Sequence, residues 1–213
     1  MDELELLKRD WKKNENAFNQ ISEKEIYAML HKRSSSIVKW ILIISILEII
    51  FWATLGFILD DKETTKTLEL YHLKTTILIM SVVNYAVIVC FIFLFYKNYK
   101  AINTTDSIKR LMKSILKTRR TVQYYVWYNL GMTFLTFSIV FFFQIKYDPN
   151  IKLLIDKISE SINPNTFYFL AFAFYLLIAL MMIVIIWLFY KLLYGILLKR
   201  LNQNYQELKK LDL

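Results

Sequence analysis

The sequence predicts an all-α polytopic membrane protein with four transmembrane helices and amphipathic cytoplasmic extensions. Hydrophobic residues make up 56% of the 213 residues, and most of them fall into four blocks. These blocks are residues 40–59, 75–96, 121–145 and 165–190; the first holds one charge and the others hold none. A helix needs about 20 apolar residues to cross the hydrocarbon of a bilayer. Only three Gly and two Pro are present, so little interrupts long helices.

The basic residues predict how the chain is oriented. Of 27 Lys and Arg, 21 lie in residues 1–39, 97–120 and 191–213, whereas loops 60–74 and 146–164 carry three each. Loops rich in Lys and Arg stay in the cytoplasm. We therefore expect a multi-pass protein of the bacterial inner membrane with both termini in the cytoplasm. Aromatic side chains near the predicted boundaries agree with an interfacial belt; they include Trp40, Tyr96, Tyr124, Tyr125, Trp127, Tyr128, Tyr190 and Tyr194.

The net charge of +9 raises the question of which partner it attracts. Most of the basic residues lie next to the predicted spans, where each one gains about 1 kcal/mol from anionic lipid. We therefore expect a bilayer with anionic lipids as the electrostatic partner, and no nucleic acid. The single cysteine, Cys90, excludes intrachain disulfides and cysteine-based zinc sites.

Residues 1–39 predict two amphipathic helices. Over residues 2–18 a narrow apolar stripe recurs at helical spacing, formed by Leu4, Leu7, Trp11 and Phe18. The second helix begins at Ser22, which forms a capping box with Glu25, and continues into the first span.

Two further cytoplasmic helices are predicted. A cluster of capping residue types at 103–106 precedes a basic amphipathic helix over 104–120, which runs unbroken into the third span. A helix of 40 residues from Asp106 to Ile145 would be about 60 Å long, roughly twice the hydrocarbon thickness. The fourth span likewise continues into a C-terminal cytoplasmic helix over 191–213.

The two loops on the other side are small. Residues 60–74 are polar, and the pair Asp60 and Asp61 is predicted to lie in a solvated loop. Residues 146–164 predict a short interfacial helix, with Asp148 as N-cap and a proline in the first helical position, ending at Asn163.

Glu48 is the one charged residue within the four predicted spans, and it lies near the middle of the first. Such a residue costs about 2.5–3.5 kcal/mol on insertion scales, so it is expected to face the interior of the bundle. Candidate hydrogen-bond partners at similar depth are Asn84, Thr133, Thr136 and Ser138. A structural network and a proton or cation pathway both fit, and a lone carboxyl favours the network.

No catalytic constellation is found. The sequence contains no HExxH, GxSxG, P-loop or GxGxxG motif. His31 and His72 are predicted on opposite sides of the membrane, so they cannot share a metal. We therefore expect no catalytic, cofactor or metal site, and a protein that is not an enzyme.

Residues 1–13, together with Glu25-Ile26-Tyr27 and the run His31–Trp40, resemble a family of small four-span membrane proteins in Flavobacteria and related Bacteroidetes. The likeness covers nearly the whole chain. Members of that family are largely uncharacterised, and some carry an automatic carotene-monooxygenase label. Carotenoid-cleaving oxygenases that resemble the animal enzymes are β-propellers whose iron is held by four histidines, and this chain has two. The resemblance thus implies the four-span fold without that activity.

These observations favour a membrane-anchored interaction or regulatory protein, with a layout like that of anti-sigma factors. The stripe of Leu4, Leu7, Trp11 and Phe18 would dock into a groove of a cytoplasmic protein. The same stripe could instead pack on the chain's own cytoplasmic helices or on lipid. The alternative function is a small transporter or channel component that uses Glu48, which would need a homo-oligomer to enclose a path.

Overall fold

The computed structural model describes residue 5 and residues 22–59, 61–105, 107–158 and 163–211. These residues form six α-helices and no strand. The helices are α1 (Glu23–Leu59), α2 (Lys62–Leu70), α3 (Lys74–Asn103), α4 (Ile108–Tyr147), α5 (Pro149–Ile158) and α6 (Pro164–Leu211). The predicted all-α class is confirmed.

Four of the helices, α1, α3, α4 and α6, are long and apolar enough to cross a membrane. Their most apolar 18-residue windows have mean hydropathies from 1.6 to 3.0. Large apolar side chains on their outer surface are exposed, for example Phe57, Phe93 and Phe169. A continuous apolar surface of this kind is stable only when lipid covers it. The protein is therefore embedded in a membrane.

The spanning helices form a closed four-helix bundle. Each packs against two neighbours, in the cyclic order α1, α3, α4, α6. We call the end that holds the start of α1 and α4 and the end of α3 and α6 the basic end. The opposite end, which holds α2 and α5, is the loop end. The short connections between successive helices explain their antiparallel arrangement.

The helices at the basic end extend well past the hydrocarbon. With 40 residues in α4 and 48 in α6, these helices are about 60 and 72 Å long, against a hydrocarbon thickness of about 30 Å. The extensions share a core of side chains that are 5% exposed or less and belong to one cluster: Leu30, Ile102, Leu111, Ile115, Leu201 and Leu208.

Two capping predictions have different outcomes at the basic end. The capping box that starts α1 is present: the Ser22 amide donates to Glu25 at 2.9 Å, and the Glu25 amide donates to the Ser22 hydroxyl at 3.3 Å. The capping cluster at 103–106 does not start α4. Instead the hydroxyls of Thr104 and Thr105 donate to carbonyls of the preceding turn and end α3. The N-cap of α4 is Ser107.

The loop predicted over 60–74 contains the nine-residue helix α2, which the sequence pattern does not predict. Asp61 is exposed and precedes this helix, in agreement with the expected solvated position, whereas Asp60 lies outside the described residues. Asp61 is the N-cap and accepts from the Thr64 amide at 2.7 Å. That hydrogen bond lowers the pKa of the Asp61 carboxyl below its usual value. An Asp at this position satisfies one of the free amides that every helix start exposes.

Asp148 connects two segments at the loop end through hydrogen bonds. As predicted, Asp148 precedes a helix with Pro149 in first position, and its Oδ1 accepts from the Asn150 amide at 2.8 Å. Its Oδ2 accepts from the Tyr71 hydroxyl at 2.8 Å, which joins the α2–α3 connection to the start of α5. The interfacial helix predicted within residues 146–164 was expected to end at Asn163. Residues 159–162 of this segment lie outside the described residues.

Candidate functional site

Glu48 lies on the face of α1 that points into the bundle. Buried positions recur along this helix at three- and four-residue steps, through Ile37, Ile41, Ser45 and Glu48. The register of the helix therefore turns the carboxyl inward, and only 6% of Glu48 is exposed. It precedes the end of α1 at Leu59 by 11 residues, or about 16 Å, which is about half the hydrocarbon thickness.

Two tyrosines of α6 hold the Glu48 carboxyl. The Tyr190 hydroxyl donates to Oε1 at 2.5 Å and the Tyr194 hydroxyl donates to Oε2 at 3.0 Å. The two tyrosines are four residues apart, so they lie one above the other on the same helix face. Their rings stack with centroids 6.1 Å apart. Both carboxyl oxygens are thereby fixed in position.

Tyr125 of α4 completes the surroundings of the carboxyl. Its ring packs edge-on against Tyr190 and Tyr194, with centroids 6.0 Å away in both cases, and only 1% of Tyr125 is exposed. We refer to Glu48, Tyr125, Tyr190 and Tyr194 as the Glu48–tyrosine cluster. It ties together α1, α4 and α6 in the centre of the bundle.

The Glu48 carboxyl has no basic partner among the described residues. The one ion pair found in that part of the chain joins Lys74 to Glu69 at 2.6 Å, and both side chains are more than half exposed. The hydrogen bonds to Glu48 therefore come from neutral hydroxyl groups. A carboxylate has about four acceptor positions, and the two tyrosines occupy two of them.

The hydrogen-bond partners predicted for Glu48 are not the ones that the structure shows. Thr133, Thr136 and Ser138 each donate to the backbone carbonyl four residues earlier at 2.9 Å. A hydroxyl inside a helix often makes this bond, because the carbonyl is already within reach. Asn84 accepts from the Tyr128 hydroxyl at 3.2 Å.

A cavity of about 420 Å³ nevertheless brings the predicted polar residues together. Side chains of all four spanning helices line it, and Glu48 and Tyr190 form part of its wall. The polar lining consists of Glu48, Ser81, Asn84, Asn129, Thr133 and Thr136 together with tyrosine hydroxyls. Thus the four intramembrane polar residues singled out in the sequence, Glu48, Asn84, Thr133 and Thr136, share one cavity rather than one hydrogen-bond network.

Sequence reasoning missed the tyrosines of the cluster. Tyr125, Tyr190 and Tyr194 were predicted to sit in the interfacial belt, yet each is 4% exposed or less. The available signal was the four-residue spacing of two tyrosines in a helix facing a lone carboxyl. That spacing alone does not reveal which helix face points inward.

Further polar contacts lie at the basic end. The Asn98 amide donates to Thr121 at 3.1 Å, and the Asn204 amide donates to Ser34 at 3.0 Å; both contacts are buried. A ring nitrogen of His31 lies 2.8 Å from the carbonyl of Ile102. These contacts fix the relative rotation of the extended helices.

The two histidines lie at opposite ends of the bundle. His31 belongs to the basic end, whereas His72 packs edge-on against Tyr147 at the loop end with centroids 4.7 Å apart. In the part of the chain that the structure describes, no group of three His, Cys, Asp or Glu side chains is placed to hold a metal ion. The stripe of Leu4, Leu7, Trp11 and Phe18 lies outside that part.

The fold and the site define the class of protein: a membrane-embedded four-helix bundle with a largely apolar internal cavity that the Glu48 carboxyl borders. Residues 24–213 match the family described as Domain of unknown function (DUF8845), and the chain belongs to this family. The match agrees with the expected resemblance to a family whose function is not established. No curated protein and no solved structure matches the chain.

Proposed function

We propose that the protein is a non-enzymatic, membrane-anchored interaction or regulatory protein. In this proposal the basic end faces the cytoplasm of a bacterial cell, across its inner membrane. A cytoplasmic protein docks there onto the N-terminal stripe of Leu4, Leu7, Trp11 and Phe18. The described bundle serves as the anchor and as a rigid platform beneath the docking segment.

The orientation rests on the charge distribution. The segments that meet at the basic end, together with the N-terminal 22 residues, hold 21 of the 27 Lys and Arg. Such an excess in short segments is retained on the cytoplasmic side during insertion, where it also faces anionic lipid. Loops 60–74 and 146–164 then face outward.

One observation carries the docking proposal: the apolar side chains of the described basic-end helices already pack against one another. Within residues 23–35, 100–105, 107–120 and 198–211, Met29 is the one large hydrophobic side chain that is exposed, at 53%. These helices therefore offer a partner a charged surface rather than an apolar groove. We therefore assign the apolar anchor at this end to the stripe, whose Trp11 is a residue type enriched among interface hot spots and whose leucines lie at the spacing of helix-in-groove contacts.

The double substitution Leu7→Ala with Trp11→Ala tests this function. Tagged protein is purified in mild detergent from its native host, and co-purifying proteins are quantified by mass spectrometry. We expect a cytoplasmic protein in near-equal amount with the unaltered chain. Its recovery should fall more than tenfold with the double variant, because truncating each anchor costs about 2 kcal/mol.

The matched control is Lys13→Ala with Asn16→Ala, on the opposite face of the predicted helix. It should leave recovery unchanged, and membrane insertion should be the same for all three proteins. Unchanged recovery after loss of Leu7 and Trp11, or an equal loss in the control, would contradict the docking role.

A second candidate function is a transport or channel component, and the Glu48 cavity favours it. Its supporting observation is a buried carboxyl that has no basic partner among the described residues, next to a cavity lined by all four spanning helices. Several chains would have to assemble to give a continuous path. Proton flux into liposomes under a potassium diffusion potential should then be present for the unaltered chain and absent for Glu48→Gln. Flux that survives this substitution would remove the candidate.

A further inference from the structure

We propose that the cavity beside Glu48 binds a monovalent organic cation with an apolar body, and that the charged group lies between the Glu48 carboxyl and aromatic rings. The inference concerns the site of the second candidate function, but it requires binding alone and no transport. It is independent of partner docking at the basic end.

The charge of the lining sets the charge of the ligand. Glu48 is the one acidic residue among the residues that line the cavity, and none of them is basic. A ligand with one positive charge supplies the charge that would balance Glu48, which no lining residue supplies. The Tyr190 and Tyr194 hydroxyls hold both carboxyl oxygens in place, so the position of the acidic group is set before a cation binds.

The aromatic lining favours an organic cation. Trp52, Tyr85, Tyr125 and Tyr190 all line the cavity that Glu48 borders. The faces of aromatic rings carry partial negative charge and attract cations, and Trp does so most strongly. A carboxylate with several rings around it is the environment that alkylated ammonium groups and similar cations prefer.

The size and polarity of the cavity indicate the rest of the ligand. A volume of about 420 Å³ lies within the range of about 300–1,000 Å³ that small-molecule sites occupy. Much of the wall is formed by flexible or branched apolar side chains, among them Ile49, Ile77, Met80, Met132 and Met182. Methionine adapts to ligands of different shape.

A bare metal cation suits this wall less well. Calcium takes six to eight oxygen ligands, and magnesium needs a near-ideal octahedron of oxygens. In this lining Glu48 is the one residue that supplies a carboxyl oxygen, and most of the wall is apolar. An organic cation is therefore the better match.

Equilibrium dialysis of the full chain in mild detergent tests the inference, with tetraphenylphosphonium as the probe. Tetraphenylborate has nearly the same shape and the opposite charge. Because the net charge of +9 also attracts this anion to the protein surface, only the saturable binding of the two probes is compared. We expect saturable binding of tetraphenylphosphonium and at least tenfold weaker binding of tetraphenylborate. The substitution Glu48→Gln keeps the size of the side chain and one acceptor oxygen but removes the acidic group, and should weaken binding of the cation at least tenfold. Glu69→Gln removes an equal charge outside the cavity and should have no effect.

A second pair of variants tests the aromatic contribution. Trp52 lines the cavity, whereas Trp40 belongs to the same helix and does not. Trp52→Leu should weaken tetraphenylphosphonium binding roughly two- to fivefold, and Trp40→Leu should leave it unchanged. Circular dichroism and elution volume establish that each variant is folded.

The outcomes separate this inference from the proposed functions. Equal binding of the two probes, or binding by folded Glu48→Gln that equals that of the unaltered chain, overturns it. Stabilisation by sodium ions without any tetraphenylphosphonium binding also overturns it. If Glu48→Gln does not fold, the ratio of the two probes on the unaltered chain decides the matter. Equilibrium binding does not report on flux or partner recovery, so those proposals stand or fall by their own experiments.

Discussion

The Glu48 carboxyl accepts hydrogen bonds from two hydroxyls on successive turns of α6. The Tyr190 and Tyr194 hydroxyls each serve one carboxyl oxygen, and all three residues are 6% exposed or less. Where the side chains are this deeply buried, removing one donor leaves an acceptor without its partner. The loss in free energy of unfolding is then larger than for a hydrogen bond at the surface. The cluster is thus a stabilising contact as well as part of the cavity wall.

Tyr194→Phe isolates that contribution, because Tyr194 is not among the residues that line the cavity. We expect the free energy of unfolding to fall by about 1–3 kcal/mol. The control is Tyr96→Phe, at an exposed position on α3, which should change it by less than about 0.5 kcal/mol. Reversible unfolding in mixed micelles measures both. Equal effects of the two substitutions would show that the Tyr194 hydrogen bond to Glu48 contributes nothing to stability.

Asp148 gives the loop end a dependence on pH. Burial alone would raise the pKa of its carboxyl, but hydrogen bonds from Tyr71 and from the start of α5 outweigh burial and lower it. A carboxyl with a lowered pKa stabilises the folded state above its unfolded value of about 3.9. This stabilisation is lost as the pH falls through the lower folded value.

Asp148→Asn tests that dependence while retaining a good N-cap residue. At pH 7 the variant should be less stable than the unaltered chain by about 1 kcal/mol, because a charge-assisted hydrogen bond is lost. The difference should shrink as the pH falls below about 4. Tyr71→Phe removes the other partner and should show the same trend. Melting temperatures between pH 3 and 7 provide the measurement, and a difference that stays constant over this range would contradict the assignment.

At the scale of the elements, the extended helices hold a buried polar pair. The Asn204 amide donates to Ser34, and both residues are fully buried. Oδ1 of Asn204 is buried and has no hydrogen-bond partner within the described part of the chain. Such a pair fixes the rotation of α1 against α6 at some cost in stability.

Removing one member should therefore cost more than removing both. We expect Ser34→Ala to lower the free energy of unfolding by about 1–3 kcal/mol, since the Asn204 amide then loses its acceptor. Adding Asn204→Leu should recover most of this loss. The contrary result is a double variant whose loss in free energy of unfolding is at least the sum of the two single losses. That result would show that burying the pair does not cost stability.

The long helices could be predicted from the sequence, whereas the contacts between them could not. The apolar blocks and the scarcity of Gly and Pro predict α4 and α6 because little else is compatible with those patterns. Helix α2 was missed because a polar segment of nine residues has no apolar stripe to indicate a helix. The contact of Glu48 with Tyr190 and Tyr194 was missed because a helix that is apolar on every side gives no sign of its inner face.

At the scale of the whole molecule, orientation decides which end can meet a cytoplasmic partner. The chain has a single cysteine, so Cys90→Ser gives a background for labelling. In that background, Lys66→Cys introduces a thiol at an exposed position of the loop end and Lys113→Cys at an exposed position of the basic end. An impermeant maleimide should label Lys66→Cys in cells with a permeable outer envelope, and Lys113→Cys only after the inner membrane is opened. The reverse pattern would contradict the proposed orientation.

Photo-crosslinking in the native host tests the central claim, partner docking through the N-terminal stripe, most directly. A benzophenone amino acid replaces Trp11 in one strain and Lys13 in another. The proposal predicts an adduct of defined mass between the chain and one cytoplasmic protein from position 11, and no such adduct from position 13. Crosslinks from position 11 that stay within the chain would show that the stripe packs on the protein's own helices, which would contradict the docking role.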